Sequence, residues 1–184
     1  MVTAKIFIQA AHKRIAVLLG LSILCFALAA SAMSVLGIRI NTSYSLPMGV
    51  YARSTDVHAK LIEFCPEGHA AAESSERGYR TTGVCPDGAA PLLKPIVARV
   101  GDTVVMSAGG ISVNGQLLPQ TAPLSQDRYG RPLRAWPSGR YSVGDGFVWV
   151  ASSYNRGSYD SRYMGPIPTR LIRAQLRPVW TFSR

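Results

Sequence analysis

The strongest hydrophobic feature of the chain is an apolar run near its N-terminus, from Ile15 to Gly37, which contains no charged residue. A run of this length can span a bilayer as one tilted helix. The segment before it, residues 1–14, is basic, so the positive-inside rule places that segment in the cytoplasm and the rest of the chain outside. A cleaved signal peptide is the alternative, because Ala-Ser-Ala at 30–32 has the form of a cleavage site. We favour a retained transmembrane anchor over 15–38, since the apolar run continues past that motif.

Beyond residue 39 the apolar positions occur in short runs, rich in branched side chains, that are typical of β-strands. One strand is expected within 50–61, and a clear one covers Leu92–Val100. The pair Asn114-Gly115 predicts a tight hairpin turn. The remaining predicted strands are Thr103–Met106, Ile111–Val113, Gln116–Leu118, Tyr141–Val143, Phe147–Ala151 and Ala174–Trp180, the last broken at Pro178. Residues 39–184 are therefore expected to form one mainly β domain.

Composition agrees with a mainly β domain and limits the kinds of partner that a basic chain could bind. The 184 residues include 17 glycines and 12 prolines but only 16% charged residues, as in a domain of short strands and turns. The formal net charge of +10 is compatible with nucleic acid, an anionic membrane surface or an acidic partner. The arginines are scattered, and the sequence has no basic run or nucleic-acid-binding module. Nucleic-acid binding is therefore not expected, whereas attraction to anionic lipid beside an anchor remains open.

Two Cys-Pro-acid-Gly motifs, at 65–68 and 85–88, bracket a polar insertion rich in alanine, serine and glutamate. In an exported domain, Cys65 and Cys85 are expected to form a disulfide. A zinc site that also uses nearby histidines is the alternative, but the sequence has neither Cys-x-x-Cys nor His-x-x-x-His spacing. We expect no metal and no other cofactor, and Cys25, inside the anchor, is expected to be unpaired.

The stretch Asn41–Tyr51, directly after the apolar run, holds the candidate nucleophile. Ser43 and Ser45 precede Pro47, which blocks a helix, and Gly49 permits a sharp turn or the close approach of another chain segment. A hydroxyl presented in such an extended or turning segment needs only a base to become a nucleophile.

A lysine is the best candidate for that base. Of the three histidines, His12 precedes the anchor, and His58 and His69 lie in or beside the polar insertion. None is in a strand expected to hold an imidazole rigidly, so a Ser-His-Asp triad is poorly supported. A lysine can serve instead if apolar burial disfavours its charged form. Of four lysines, Lys94 is the one embedded in an apolar strand. A structural lysine on an edge strand, next to Pro95, is the alternative, and the pattern alone leaves both interpretations open.

Four blocks of sequence, in the same order, resemble the signal peptidase family, and specifically its conjugative-transfer (TraF-type) branch. These blocks are the anchor with 43–51, then 93–104, then 111–115, and finally 147–150 with 158–166. General signal peptidases have one more residue between the nucleophile and the proline than Ser45 and Pro47 allow here. They also have a Met-Gly-Asp-Asn-Arg segment after the late strand, of which only Asn155-Arg156 is matched. The cysteine-bracketed insertion at 65–85 belongs to neither pattern.

The resemblance implies a role for each matching residue. Ser45 would attack the substrate carbonyl, and Lys94 would accept its proton. The main-chain N–H of Ser45 and the hydroxyl of Ser43 would form the oxyanion hole. The polar cluster implied behind the lysine consists of Ser158, Asp160 and Arg162. For the last two of these, a purely structural ion pair is the alternative.

The resemblance also implies a fold, a location and a substrate class. The fold would be an antiparallel β-sheet domain of the signal-peptidase type behind one transmembrane helix, with a groove beside the membrane that binds an extended peptide. The protein would be a single-pass serine endopeptidase of the bacterial inner membrane, with its catalytic domain in the periplasm. Its substrate would be a conjugative pilin or similar exported precursor, which loses a terminal peptide by hydrolysis or cyclisation. The alternatives are a general type I signal peptidase and an inert membrane-tethered β-domain that binds a partner.

Overall fold

The computed structural model describes residues 2–182 and divides into two units, Met1–Arg39 and Ile40–Arg184. The first unit is helix α1, Val2–Val35. Its segment His12–Met33 is long and apolar enough to cross a membrane, by length and composition, which fits either an anchor or a signal sequence. The helix therefore includes most of the segment expected at 1–14, and the division at residue 15 remains a prediction.

The second unit is mainly β, as predicted. It also contains two short helices, α2 (Gly68–Glu76) and α3 (Ser161–Met164), and a 3-10 turn at Thr169–Leu171. The strands are β1 (Ile38–Asn41), β2 (Gly49–Ser54), β3 (Leu61–Phe64), β4 (Leu92–Ala98), β5 (Thr103–Ser107), β6 (Gly110–Val113), β7 (Gln116–Leu117), β8 (Gly139–Ser142), β9 (Phe147–Val150), β10 (Ile167–Pro168) and β11 (Ile172–Thr181).

These strands form two antiparallel sheets. The larger sheet has seven strands in the order β1-β2-β11-β3-β4-β9-β10, and the smaller has four in the order β7-β6-β5-β8. One apolar cluster, which includes Ile62, Phe64 and Val150, lies in the larger sheet. A second cluster around Val104, Ile111 and Trp149 joins β9 to the smaller sheet. The candidate site is formed by Lys94, within β4, together with the turn between β1 and β2 and the segment that follows β9.

Strand β4, which carries Lys94, is an interior strand. It pairs with β3 on one side, where Ile62 lies opposite Lys94, and with β9 on the other, where Val150 lies opposite Ile96. Lys94 is 3% exposed. The alternative of an edge-strand lysine is therefore wrong. Pro95 has no N–H to give to the sheet, but its carbonyl still accepts a hydrogen bond from the N–H of Ala151, next to a register shift in the pairing of β4 with β9.

Local turn chemistry explains the boundary between β6 and β7. Besides β1, β3 and β10, which were not predicted as separate strands, the structure differs from the sequence prediction in two further ways. Asn114 and Gly115 both have positive φ, 52° and 86°, as a two-residue hairpin turn between β6 and β7 requires. Strand β11 is not broken at Pro178. It continues to Thr181 through a register shift after Pro178, because a bulge tolerates a residue without an N–H.

The second difference is in the cysteine insertion. The disulfide between Cys65 and Cys85 is present, with a Cα–Cα distance of 5.6 Å, as predicted. The insertion also contains α2, which was not predicted because its sequence has no apolar stripe. Its interior is polar instead: the buried guanidinium of Arg80 donates to the hydroxyl of Ser74 and pairs with Asp87.

Candidate active site

The candidate nucleophile lies in the turn between β1 and β2, and the side chain of Asn41 holds this turn together. Asn41 is buried, and its Oδ1 accepts hydrogen bonds from the N–H and the hydroxyl of Ser43, at 3.1 and 2.8 Å. Its Nδ2 donates to the carbonyls of Ser43 and Pro47, both at 3.1 Å, and to that of Leu46 at 3.4 Å. One amide thus fixes the main chain on both sides of Ser45.

Two further contacts fix this turn against the sheet. The hydroxyl of Tyr51, on β2, donates to the carbonyl of Pro47 at 2.7 Å. The hydroxyl of Ser152, just after β9, donates to the carbonyl of Ser45 at 2.5 Å. Gly49 allows β2 to approach β11 closely, because a Cβ there would lie 2.2 Å from the carbonyl oxygen of Trp180. The main chain around Ser45 is therefore held in one orientation.

The amine of Lys94 reaches this turn from the interior of the sheet. Its Nζ lies 2.6 Å from Oγ of Ser45 and 2.7 Å from Oγ of Ser158. The hydroxyls of Ser158 and Ser45 are 3.2 Å apart, so the three groups form a triangle. A charged ammonium has three N–H donors, whereas the described residues provide two acceptors for it here. The site is therefore better suited to the neutral amine.

The electrostatic surroundings favour the neutral amine as well. Burial lowers the pKa of Lys94 from 10.5 to about 8, because the charged form loses its hydration. The carboxylate of Asp160 raises this pKa and the guanidinium of Arg162 lowers it, so the two charges oppose each other and burial decides the direction. A substantial fraction of Lys94 is therefore uncharged near pH 8 and can accept a proton.

Asp160 and Arg162 form a fully buried, two-pronged ion pair behind the lysine. Nε and NH2 of Arg162 donate to the two carboxylate oxygens of Asp160 at 2.8 and 2.7 Å. The same carboxylate accepts from the N–H of Ser152 at 2.9 Å, and the guanidinium donates to the carbonyl of Ser158 at 2.9 Å. The ion pair is therefore connected by hydrogen bonds to the Ser45 main chain, by way of Ser152, and to the Lys94 amine, by way of Ser158.

The structure brings together Ser45, Lys94, Ser158, Asp160 and Arg162, and it leaves Ser43 exposed at the same turn. Sequence reasoning missed Asn41, Tyr51 and Ser152. Only Asn41 had a usable signal, since an Asn two residues before a serine favours a local side-chain turn.

The alternative bases and ligands lie outside this cluster. His58 and His69 are both exposed. Within residues 2–182, no group of three or more His, Cys, Asp or Glu side chains is arranged to hold a metal ion.

Comparison with known proteins gives a consistent result. A family model described as signal peptidase, peptidase S26, matches residues 13–181. The plasmid transfer protein TraF of Escherichia coli is 37% identical over 149 residues, which cover 79% of this chain and 84% of that protein. The conjugal transfer protein TraF of Agrobacterium tumefaciens (strain 15955) is 32% identical over 177 residues, which cover 93% of this chain and 98% of that protein.

A solved structure of a signal peptidase I from Enterococcus faecalis V583 aligns with 68% of this chain and 99% of that one, at 16% identity and a TM-score of 0.37. That similarity is too low to support an argument of its own. The family match covers nearly the whole chain, and the relatives align over most of their own lengths. The chain therefore belongs to the signal peptidase family, peptidase S26, and is a homologue of the TraF conjugal transfer proteins.

Proposed function

We propose that this protein is a membrane-anchored serine endopeptidase in which Ser45 is the nucleophile and Lys94 the general base. The observation that carries the proposal is the 2.6 Å separation between a buried lysine amine and a serine hydroxyl in a rigid turn. Family membership supports the reaction class. The low pKa of Lys94 supports its role, because a base must be unprotonated at the working pH.

The reaction proceeds in two steps. The neutral amine of Lys94 takes the proton of the Ser45 hydroxyl as Oγ bonds to the substrate carbonyl carbon. The resulting ammonium gives this proton to the leaving amine, the C–N bond breaks, and an ester to Ser45 remains. A water molecule or an amine then attacks the ester while Lys94 accepts its proton, and the ammonium returns that proton to Oγ of Ser45 as the ester bond breaks. Attack by water completes hydrolysis, and attack by the substrate's own amine gives a cyclic product.

The oxyanion of each tetrahedral intermediate needs donors near the turn. The main-chain N–H of Ser45 lies in a peptide flanked by two held ones, because Asn41 binds the carbonyl of Ser43 and Ser152 binds the carbonyl of Ser45. The Ser43 hydroxyl donates to Asn41 in the free protein, and rotation about its Cβ–Oγ bond redirects it toward the oxyanion. Loss of one such donor typically slows catalysis by about 100- to 1000-fold.

The proposed substrate is the pilin precursor of a conjugative system or a similar exported precursor. This rests on the TraF homologues, which are named as plasmid and conjugal transfer proteins. Helix α1 supports a single-pass location in the bacterial inner membrane, with the β domain in the periplasm.

The test compares S45A and K94A with the matched variants S142A and K60A, which remove an exposed serine and an exposed lysine. All four should be exported and folded. We expect precursor to accumulate in cells with S45A or K94A, with processing slowed roughly 1000-fold or more, and to be processed normally with the controls. Normal processing by S45A or K94A would refute the dyad and favour an inert partner-binding domain.

Depletion of the protein separates a conjugative enzyme from a general signal peptidase. Loss of mating with unaffected secretion supports the conjugative substrate. A general accumulation of unprocessed secretory precursors would show broad specificity instead.

A further inference from the structure

The insertion between β3 and β4, which we call the cysteine lobe (residues 65–85), is a folded unit attached beside the strand that carries Lys94. The disulfide closes its base, directly after β3. Arg80, with its side chain 1% exposed, fastens the interior by donating to the carbonyl of Ala71, at 2.8 Å, and to the Ser74 hydroxyl. The lobe is therefore rigid enough to position whatever it contacts.

The lobe contacts the candidate site at Tyr159, which lies between Ser158 and Asp160 in the sequence. Glu73 of α2 accepts a 2.5 Å hydrogen bond from the hydroxyl of Tyr159. The Tyr159 ring contacts two others, at centroid distances of 5.2 Å from that of Tyr79 in the lobe and 5.5 Å from that of Tyr163 in α3. The other carboxylate oxygen of Glu73 pairs with Arg77 at 2.8 Å, so the acceptor is itself held in place.

Tyr159 is flanked by the two residues that serve the dyad. In extended backbone, successive side chains point to opposite sides, and Asp160 is extended, with φ −152° and ψ −157°. Ser158 and Asp160 accordingly face Lys94 and Arg162, while Tyr159 faces the cysteine lobe. Whatever fixes the Tyr159 ring also fixes its two neighbours.

The hydrogen bond from Tyr159 to Glu73 is maintained over a wide pH range. Burial, with the Glu73 carboxylate alongside, raises the pKa of Tyr159, so its phenol remains a hydrogen-bond donor throughout the working pH range.

We infer that the cysteine lobe positions the Ser158 hydroxyl against the Lys94 amine, with Glu73 and Tyr159 as the positioning residues. This inference rests on the proposed function for its effect on catalysis. Without the contact, the segment around Ser158 recedes from Lys94 and water enters. The ammonium is then better hydrated, and a larger share of Lys94 is charged at a given pH.

The experiment compares the detergent-solubilised full chain with E73A and Y159F. Y159F removes one hydroxyl and keeps both ring contacts. The matched control is E76A, which removes an exposed glutamate of the same helix. Cleavage of purified pilin precursor is measured against pH, and the Lys94 amine is followed independently by trace labelling with acetic anhydride and mass spectrometry. We expect a fall of roughly tenfold in kcat/KM near pH 7 for E73A and Y159F, with the acid limb moved to higher pH and labelling of Lys94 moved likewise.

Two results would overturn the inference: profiles that coincide with those of E76A, or a lower rate without movement of the acid limb or the labelling curve. If E73A does not fold, Y159F decides alone. The labelling arm does not depend on peptidase activity. Wild-type chain that fails to cleave the precursor, with labelling shifted in Y159F, would refute the proposed function and leave the positioning role intact.

Discussion

Replacement of Lys94 by methionine should stabilise the protein at neutral pH. Methionine has nearly the same length and shape as the lysine stem but carries no charge. Lys94 is buried, and its pKa falls from 10.5 to about 8 on folding. The folded state therefore disfavours the ammonium that the unfolded chain accommodates in water, and the variant removes this disadvantage.

The magnitude follows from the two pKa values. Each pKa unit corresponds to about 1.4 kcal/mol, so a drop from 10.5 to about 8 costs wild type about 3 kcal/mol at pH 7. Between the two values the unfolded chain binds more protons than the folded one, and wild-type stability therefore rises with pH. By about pH 10 the disadvantage has shrunk to about 1 kcal/mol. K94M also loses hydrogen bonds to two serines, but that contribution does not change with pH.

Denaturant unfolding of the solubilised full chain, followed by tryptophan fluorescence at several pH values with the disulfide intact, measures the difference between K94M and wild type. K94M should be more stable than wild type at pH 7, and this advantage should shrink by about 2 kcal/mol between pH 7 and pH 10 because wild type gains stability as the pH rises. K60M, which removes an exposed lysine, supplies the baseline.

A pH-independent difference between K94M and wild type would mean that Lys94 titrates in the folded state as it does in the unfolded chain. A difference that grows with pH would mean that its charged form is stabilised by folding. Either result would refute the argument that burial prepares this lysine as a base.

Two further predictions concern the surroundings of the lysine. The double variant C65A/C85A opens a loop of sequence separation 20 and should lower the free energy of unfolding by about 2 to 5 kcal/mol, as measured by denaturant titration; a loss under about 1 kcal/mol would show that the lobe closes without its disulfide. D160N removes the charge that raises the pKa of Lys94 and leaves Arg162, which lowers it, so the acid limb of the pH–rate profile should move to lower pH. Movement of the limb to higher pH in D160N would contradict this electrostatic account.

Most of the strands, though not β1, β3 or β10, were predictable because they are governed by local patterns. Branched residues in Leu92–Val100 and the Asn114-Gly115 turn determine β4 and the β6–β7 hairpin at short range. Helix α2 was not predictable in the same way, since its stability depends on Arg80, a buried arginine beyond the end of the helix, rather than on an apolar stripe.

The candidate site likewise contains residues that could be identified from the sequence and residues that could not. Ser45 and Lys94 could be named from residue type, setting and resemblance, but their distance depends on the pairing of β4 between β3 and β9, which no local pattern specifies. Ser152 could not be named at all. Its role is to bind the carbonyl of Ser45 from 107 positions away, and serines that bind distant main-chain groups have no distinguishing sequence pattern.

The buried pair of Asp160 and Arg162 is best explained by its position beside the lysine. A buried ion pair contributes little stability compared with apolar residues of the same volume. Alone, the carboxylate would raise the pKa of Lys94 and favour the ammonium, and the guanidinium alone would lower it further. Together they oppose each other at Lys94 while their hydrogen bonds hold Ser152 and Ser158. A pair thus supplies strong directional contacts to both halves of the proposed dyad without adding a net charge that would raise the pKa of Lys94.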